Sequence, residues 1–382
     1  MEQKCRRGVF TGRGPAAEGK QPAGKRGRLK GTSLPPFRLA HQGKTCSDSP
    51  RSHARLRAVA LVFLLSAALS SCSGIQSALD PAGPEAEDVA TLFYVMLVGG
   101  AAIWVGVVGT LFYATRVRRE PHSERTAGWV ILLCGAVGPV FILGALLTYA
   151  VWLLPNMRPW TAPGEDGGLR QIEVTGEQFW WRVRYLDASG GVLLETANEI
   201  IMPVGERVLF SLNAPDVIHS FWIPSLGGKM DVIPGRINRI ALEASKAGVY
   251  RGVCAEFCGA SHALMAFTVE VLEAEAFDAW LQQRLAADGS SGADGLGLFL
   301  RHGCGACHTI AGTQADGKIG PNLTALGARG SIAAGTLPNT QDNIARFIRS
   351  PEEIKPGVHM PSFAMLPEGD VETIAAYLKG LE

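Results

Sequence analysis

CAEFCGASHALM, residues 254–265, places two cysteines, a glutamate, a histidine and a methionine on one short segment. Cys254 and Cys258 are four residues apart, so the segment could either close a disulfide or hold a metal ion. Thiolates and thioethers select copper, and imidazole also suits it. A second imidazole is available from His219, about 35 residues upstream in the stretch DVIHSFWIP.

The second cysteine enlarges the predicted site. One Cys, two His and a weak axial Met describe a mononuclear blue-copper site. That set is complete with Cys254, His219, His262 and Met265. Cys258 exceeds it, and two thiolates on one loop can bridge two metal ions, each capped by one imidazole. The disulfide stays open as the alternative, although the nearby imidazole and thioether groups favour the metal.

The sequence around this segment has the texture of β-structure. Between residues 168 and 287, short runs such as ERVLFSL (206–212) and AFTVEVL (266–272) alternate apolar and polar residues and are separated by turns. This pattern predicts an all-β sandwich or barrel. The next segment, residues 288–294, reads as a flexible linker, which we expect to keep the last domain close without fixing its pose.

CGACH, residues 304–308, has the C-x-x-C-H spacing of covalent c-type haem attachment. Cys304 and Cys307 would form the two thioether bonds, and His308 would be the proximal ligand of the iron. A redox-active dithiol is the alternative for the two cysteines alone. The adjacent histidine favours the haem.

The last segment, residues 295–382, is helical in texture and offers Met360 and Met365 as candidate thioether ligands on the other side of the haem. It resembles a class I cytochrome c domain of the kind fused to terminal oxidases. The matching stretches are GPNLTALG (320–327), GTLPNT (335–340) and KPGVHMP (355–361). The pattern of that family places the axial ligand at the methionine before the proline, which implies Met360.

Two apolar stretches, residues 89–115 and 127–154, are each long enough to cross a membrane. With their flanks they predict a transmembrane hairpin over residues 85–158. The loop between them carries Arg116, Arg118, Arg119 and Arg125. The positive-inside rule therefore places this loop in the cytoplasm and both ends of the hairpin on the outer side of the membrane.

The sequence of residues 1–72 indicates a targeting segment and not a folded domain. Residues 1–54 are basic and rich in Gly and Pro, as in a disordered extension or a start assigned too far upstream. Residues 55–72 have the parts of a signal peptide. LSSC at its end resembles the bacterial lipobox, which implies lipidation of Cys72. An ordinary signal peptide with an incidental cysteine is the alternative.

Composition limits the classes of function. A net charge of +1 argues against nucleic acid as the main partner. Only four of the eight cysteines form short-spaced pairs, so the chain has no small disulfide framework. The predicted fold class is multidomain: a two-helix transmembrane hairpin, then an all-β domain, then an all-α class I cytochrome c domain.

Residues 75–382 together resemble subunit II of caa3-type haem-copper cytochrome c oxidase, most specifically in residues 216–238 and 254–265. The resemblance implies a cupredoxin-like fold for residues 168–287 and a dinuclear copper centre, CuA. The ligands it implies are His219, Cys254, Cys258, His262, Met265 and the carbonyl oxygen of Glu256. It also implies magnesium on the Glu256 side chain at the boundary with subunit I, near Lys229, Asp231 and Arg236.

The function implied by the resemblance is electron input. Electrons from soluble cytochrome c or a quinol-oxidising complex would pass through the haem c and CuA to the haems and CuB of subunit I, coupled to proton translocation. Subunit III is a further implied partner. The implied location is the bacterial inner membrane, with both soluble domains in the periplasm. The alternative is a membrane-anchored electron carrier or assembly protein without an oxidase partner.

Two positions depart from the family pattern. Phe179 stands where the family usually has the tryptophan through which electrons enter. The neighbouring Trp180 and Trp181 become candidates for that role; the alternative is that entry from the tethered haem does not use this position. At the start of the second apolar stretch, Thr126 stands where many members carry a glutamate at a proton-channel mouth, and Glu124 is displaced. We do not assign the proton-channel role to this chain.

Overall fold

The computed structural model describes residues 73–117, 120–121, 123–157, 169–290 and 292–382. The predicted basic extension, the predicted signal peptide and Cys72 lie outside these residues.

Two long apolar helical segments come first. The first is α1 (Pro84–Phe112) with a π-helical turn (Tyr113–Val117); the second is α2 (Glu124–Val130), a π-helical turn (Ile131–Val137) and α3 (Gly138–Met157). Large apolar side chains along both segments face outward, among them Trp104 and Phe141. Each segment is long and apolar enough to cross a membrane.

Residues 73–83 precede α1 and lie along the β-domain that follows the helices. The Ala82 amide donates to the carbonyl of Ser225 at 2.7 Å. In the first turn of α1, the buried carboxylate of Glu85 pairs with Arg207 at 2.9 Å. The start of the first helix is therefore fixed to the β-domain.

The β-domain consists of two five-stranded sheets packed face to face. The strands are β1 (Arg170–Glu177), β2 (Trp180–Leu186), β3 (Val192–Ala197), β4 (Glu199–Pro203), β5 (Arg207–Asn213), β6 (His219–Trp222), β7 (Met230–Val232), β8 (Asn238–Glu243), β9 (Gly248–Cys254) and β10 (Ala266–Leu272). Their order is β3-β2-β1-β5-β8 in one sheet and β4-β10-β9-β6-β7 in the other.

The predicted alternation of buried residues is confirmed. Phe210 in β5 and Phe267 in β10 are inaccessible to solvent, and Phe267 stacks on Phe221 with ring centroids 4.9 Å apart. Helix α4 (Ala274–Leu285) closes one side of the domain through the buried Phe277. We call residues 170–285 the sandwich domain.

Residues 293–382, the C-terminal domain, are mainly helical. The elements are α5 (Ala293–Arg301), β11 (Ser331–Ile332), β12 (Leu337–Pro338), α6 (Gln341–Arg349), α7 (Pro351–Ile354) and α8 (Glu368–Lys379). Phe299 of α5 and Ile374 of α8 belong to its buried core. The predicted order of apolar helices, β-sandwich and helical domain is confirmed.

Candidate metal centres

The segment 254–265, which we call the cysteine loop, joins two neighbouring strands. Cys254 is the last residue of β9, and the loop returns through a short turn into β10 at Ala266. His219 is the first residue of β6, which pairs with β9 so that Phe221 lies opposite Cys254. The sheet register therefore brings His219 beside the cysteine loop.

The two cysteines of the loop are buried free thiols. Their Sγ atoms are 3.9 Å apart, far beyond the roughly 2.05 Å of a disulfide bond. The Sγ of Cys254 lies 3.9 Å from His219 Nδ1 and 3.1 Å from the carbonyl oxygen of Glu256. Within the described part of the chain, His219, Cys254 and Cys258 form the one group of His, Cys, Asp or Glu side chains close enough to share a metal ion.

The second thiol has its own set of neighbours. Cys258 Sγ lies 3.8 Å from His262 Nδ1 and 3.8 Å from the Sδ of Met265, which is almost fully buried. Each thiol thus has one imidazole nearby. The carbonyl of Glu256 lies beside Cys254 and the thioether of Met265 beside Cys258, at opposite ends of the thiol pair. These are the soft donors that copper prefers.

Because the two thiols lie close together, their pKa values shift in opposite directions. The hydrogen bond with Cys258, helped by His219, lowers the pKa of Cys254, whereas the neighbouring Cys254 and burial raise the pKa of Cys258. One thiolate and one thiol are therefore favoured over two thiolates in the absence of a cation. A bound cation would have to supply the charge that stabilises the second thiolate.

Asp216 orients His219, and the sequence did not single it out. The ring Nε2 of His219 lies 3.0 Å from Asp216 Oδ1, which leaves Nδ1 directed at the thiols. The other carboxylate oxygen accepts from the Gln178 amide at 2.7 Å. Burial alone would raise the pKa of Asp216, but these hydrogen bonds outweigh it and lower the pKa. A carboxylate on the far nitrogen is the usual support of a metal-binding histidine.

The three aromatic residues 179–181 have different surroundings. Trp181 is fully buried and lies 5.9 Å from the His219 ring. Trp180 points to the other face of the strand, where the guanidinium of Arg182 lies over its ring at 4.7 Å. Phe179 is also buried, at 3% exposure.

The residues that the resemblance places at a subunit boundary lie on an exposed edge. The Glu256 side chain is exposed, and Lys229 forms an exposed ion pair with Asp231 at 2.8 Å. The pKa of Lys229 is raised by Asp231 and, to a smaller extent, by Glu256. Arg236 is exposed as well.

The second candidate centre lies at the start of the C-terminal domain. Cys304 and Cys307 are half-buried free thiols that follow α5. Nδ1 of His308 lies 2.8 Å from the carbonyl of Pro321, and burial lowers the pKa of the ring, which favours the neutral form. With the proton on Nδ1, the lone pair of Nε2 is free to bind a metal. A Cβ at Gly320 would come within 2.5 Å of the His308 ring, so glycine makes room for it.

The two candidate methionines differ in packing. Met360 is half-buried against the core of the C-terminal domain, whereas Met365 is 77% exposed. Of the remaining histidines, His302 pairs with Asp370 at 2.8 Å and so joins α5 to α8, and His359 is exposed. His308 and Met360 offer an imidazole and a thioether, which are donor types that fit a c-type haem.

Comparison with known families identifies both domains. The periplasmic domain of cytochrome c oxidase subunit II matches residues 173–272, and the cytochrome c family matches residues 292–382. The chain is 33% identical to cytochrome c oxidase subunit 2 of Alkalihalophilus pseudofirmus, over 82% of this chain and 94% of the relative. This chain belongs to the cytochrome c oxidase subunit 2 family.

A second relative agrees with that membership. Cytochrome c oxidase subunit 2 of Bacillus subtilis is 30% identical over 85% of this chain and 98% of its own length. The crystal structure of the periplasmic domain of subunit II from Bradyrhizobium japonicum is 32% identical, covers 30% of this chain and 92% of its own, and superposes with a TM-score of 0.28.

Family membership establishes the broad role. The chain is a membrane-anchored subunit of a cytochrome c oxidase and works with subunit I of that enzyme. The two matched domains imply copper for the sandwich domain and haem c for the C-terminal domain.

Proposed function

We propose that the chain is the electron-input subunit of its oxidase and holds a dinuclear CuA centre and a covalent haem c. The proposed copper ligands are His219, Cys254, the carbonyl of Glu256, Cys258, His262 and Met265. The proposed haem residues are Cys304 and Cys307 for attachment and His308 and Met360 as axial ligands. The observation that carries the proposal is the pair of buried thiols 3.9 Å apart, each with an imidazole within 3.9 Å.

When bound, the haem and the copper pair would each accept and release one electron, linking a soluble cytochrome c or a quinol-oxidising complex to the oxygen-reducing site of subunit I and its proton translocation. The chain's own contribution is to hold the donors still. Asp216 fixes the ring of His219, the Pro321 carbonyl fixes His308, and Trp181 closes the sandwich behind the cysteine loop. Rigid donors in a dry site need little rearrangement when the charge changes.

The proposed topology places both soluble domains on the outer, periplasmic side. Residues 73–83 precede the first apolar helix and are hydrogen-bonded to the sandwich domain, which follows the second helix. The two ends of the hairpin therefore lie on one side of the membrane, as two spans require. The arginines of the connecting loop favour the cytoplasm for the other side.

A magnesium ion at the boundary with subunit I is a finer part of the proposal. The exposed Glu256 carboxylate lies next to the Lys229–Asp231 ion pair, so oxygen ligands are available on the surface beside the copper site. The backbone carbonyl of Glu256 would serve copper while its side chain serves magnesium. Subunit III is the remaining proposed partner.

Purification of the chain from membranes tests the proposed role. We expect it to copurify with a large haem-containing subunit, and metal and pigment analysis should find copper and covalent haem c together. Isolation of the chain with copper and haem c but without a haem-bearing large subunit would favour the electron-carrier or assembly role and would contradict the proposal.

A further inference from the structure

The sandwich and C-terminal domains meet at a set of contacts that we call the domain seam. It joins residues 259–266, in the cysteine loop and the first residue of β10, to residues 333–336 and 355–357 of the C-terminal domain. Residues 355–361, the methionine loop, contain Met360. The seam thus brings together the two loops that carry proposed ligands of different cofactors.

Ser261 makes the shortest contact across the seam. It is fully buried, and its hydroxyl donates to the carbonyl of Pro356 at 2.6 Å. Ser261 directly precedes the proposed ligand His262, and Pro356 lies four residues before Met360 in the same loop. One hydrogen bond therefore links the cysteine loop to the methionine loop.

Phe179 fills the space beside this hydrogen bond. A Cβ placed at Gly357 would lie 3.3 Å from the Phe179 ring and 3.5 Å from the side chain of Ala260. A Cβ at Gly259 would come within 3.0 Å of the same ring. The phenylalanine that replaces the family tryptophan is thus packed between glycines of the two domains, which explains its burial.

A strained turn forms the second half of the seam. Ala333 and Ala334 have φ angles of 53° and 59°, in a region that residues with a side chain seldom adopt. The carbonyl of Ala334 accepts from the Ala266 amide at 3.2 Å, and that of Ala333 accepts from the buried side-chain nitrogen of Lys355 at 3.0 Å. Such strain persists only where surrounding contacts fix the conformation.

Charged groups add contacts away from the loops. Arg182 of β2 donates to the carbonyl of Lys318 at 2.9 Å, while two carboxylates hold the rest of its guanidinium. The buried Arg329 lies 3.8 Å from Glu199 at the start of β4. Paired charges at an interface favour one relative orientation over others.

The connection between the domains is shorter than its composition predicts. Helix α4 ends at Leu285, and Gly289 is already buried in the C-terminal domain. The Gly289 amide donates to the carbonyl of Ala311 at 3.0 Å, and its carbonyl accepts from the Tyr377 hydroxyl at 2.7 Å. The expected flexible tether is therefore partly a fixed element of the C-terminal domain.

We propose that the C-terminal domain docks on the sandwich domain in a single pose, with Ser261 as the positioning residue that joins the cysteine loop to the methionine loop. The inference rests on the proposed function. A single pose would fix the distance between the two proposed electron carriers, the copper centre and the haem. A single docked pose differs from the expectation of a C-terminal domain that a flexible linker only keeps close to the sandwich domain.

Hydrogen exchange in the purified oxidase complex tests the docking. The Ala266 amide bonds across the seam, so its protection reports directly whether the seam is closed. We expect strong protection in the natural chain. The Ser261→Ala variant should speed exchange at Ala266 by about two- to tenfold, the usual worth of one hydrogen bond.

A matched control is Ser225→Ala. Ser225 is also a buried serine of the sandwich domain. Its hydroxyl donates to the carbonyl of Ser77, which precedes the first helix and does not belong to the seam. We expect it to leave exchange at Ala266 unchanged. An unprotected Ala266 in the natural chain, or equal exchange in the Ser261→Ala and natural chains, would overturn the docking.

Copper and haem content, measured on the same samples, separates the two proposals. A chain loaded with both cofactors but with an unprotected Ala266 would refute the single pose and leave the proposed function standing. A protected seam in a chain that never acquires copper or haem would refute the proposed function and leave the docking standing.

Discussion

The two candidate centres differ in how much of each is built by the polypeptide alone. In the sandwich domain, His219, Cys254 and Cys258 are all buried and converge within 4.8 Å on a scaffold of paired strands. In the C-terminal domain, the thiols that would attach the haem are half-buried, and Met360 only packs against the edge of the core. The proposed copper site is held by the sheets, whereas the haem would itself be part of the domain core.

This contrast predicts unequal consequences of losing each cofactor. Removal of copper should leave the sandwich domain folded, because its aromatic core of Trp181, Phe210, Phe221 and Phe267 does not depend on the metal. Removal of haem should take away a large share of the apolar contacts in the smaller C-terminal core.

The largest expected effect is that of changing both attachment cysteines, Cys304→Ala with Cys307→Ala. Covalent haem should be lost completely and the C-terminal domain should lose its cooperative thermal transition, while the copper signal persists. Haem staining of a denaturing gel, calorimetry and electron paramagnetic resonance measure these three outcomes. Cys134→Ala, an exposed cysteine of the second apolar segment, is the control. An unchanged C-terminal transition without haem would contradict the contrast.

A smaller effect is expected at the axial position. Met360→Ala should leave the haem attached but lower its reduction potential by some tenths of a volt, within the range of about 0.8 V that axial ligands span. The exposed Met365 offers a matched control, since Met365→Ala should leave the potential unchanged. Redox titration of the haem absorption decides between them, and the opposite ranking would move the axial role to Met365.

The smallest of these effects concerns the support of His219. Asp216→Asn weakens the hydrogen bond that orients the ring, and such supports typically contribute about 10- to 100-fold to metal affinity. Copper retention against a competing chelator should fall by that factor while the domain stays folded. Asp278→Asn, an exposed acid on α4, should have no effect. Equal retention in both variants would show that the sheet alone positions His219.

Much of the architecture follows from local sequence patterns. The alternation in β5 and β10 and the two apolar stretches depend on near neighbours in the sequence, and they predicted the strands and the long apolar helices correctly. The spacing of cysteines and histidines also depends on near neighbours, and the two sites it indicates remain predictions. The meeting of His219 with Cys254 depends on the pairing of β6 with β9, which local patterns do not encode. The ligand chemistry of the residues suggested that His219 joins the cysteine loop, and the family resemblance implied the same ligand.

Contacts between residues that are not brought together by a local sequence pattern could not be predicted from the sequence. Asp216 lies three residues before His219, yet its role depends on a turn that points its carboxylate at the ring. The Gly- and Ser-rich composition of residues 288–294 predicted a flexible linker. Gly289 within it is nevertheless hydrogen-bonded to Ala311 and Tyr377. The burial of Phe179 likewise depends on packing between domains.

The most direct test of the central claim is electron paramagnetic resonance of the Cys258→Ser variant. In the natural chain we expect the hyperfine pattern of one electron shared by two copper nuclei, because two thiolates can bridge two ions. Loss of the second thiolate should convert this signal to that of a single copper ion. A signal that keeps the shared pattern in Cys258→Ser would contradict the assignment of the cysteine loop as a dinuclear centre.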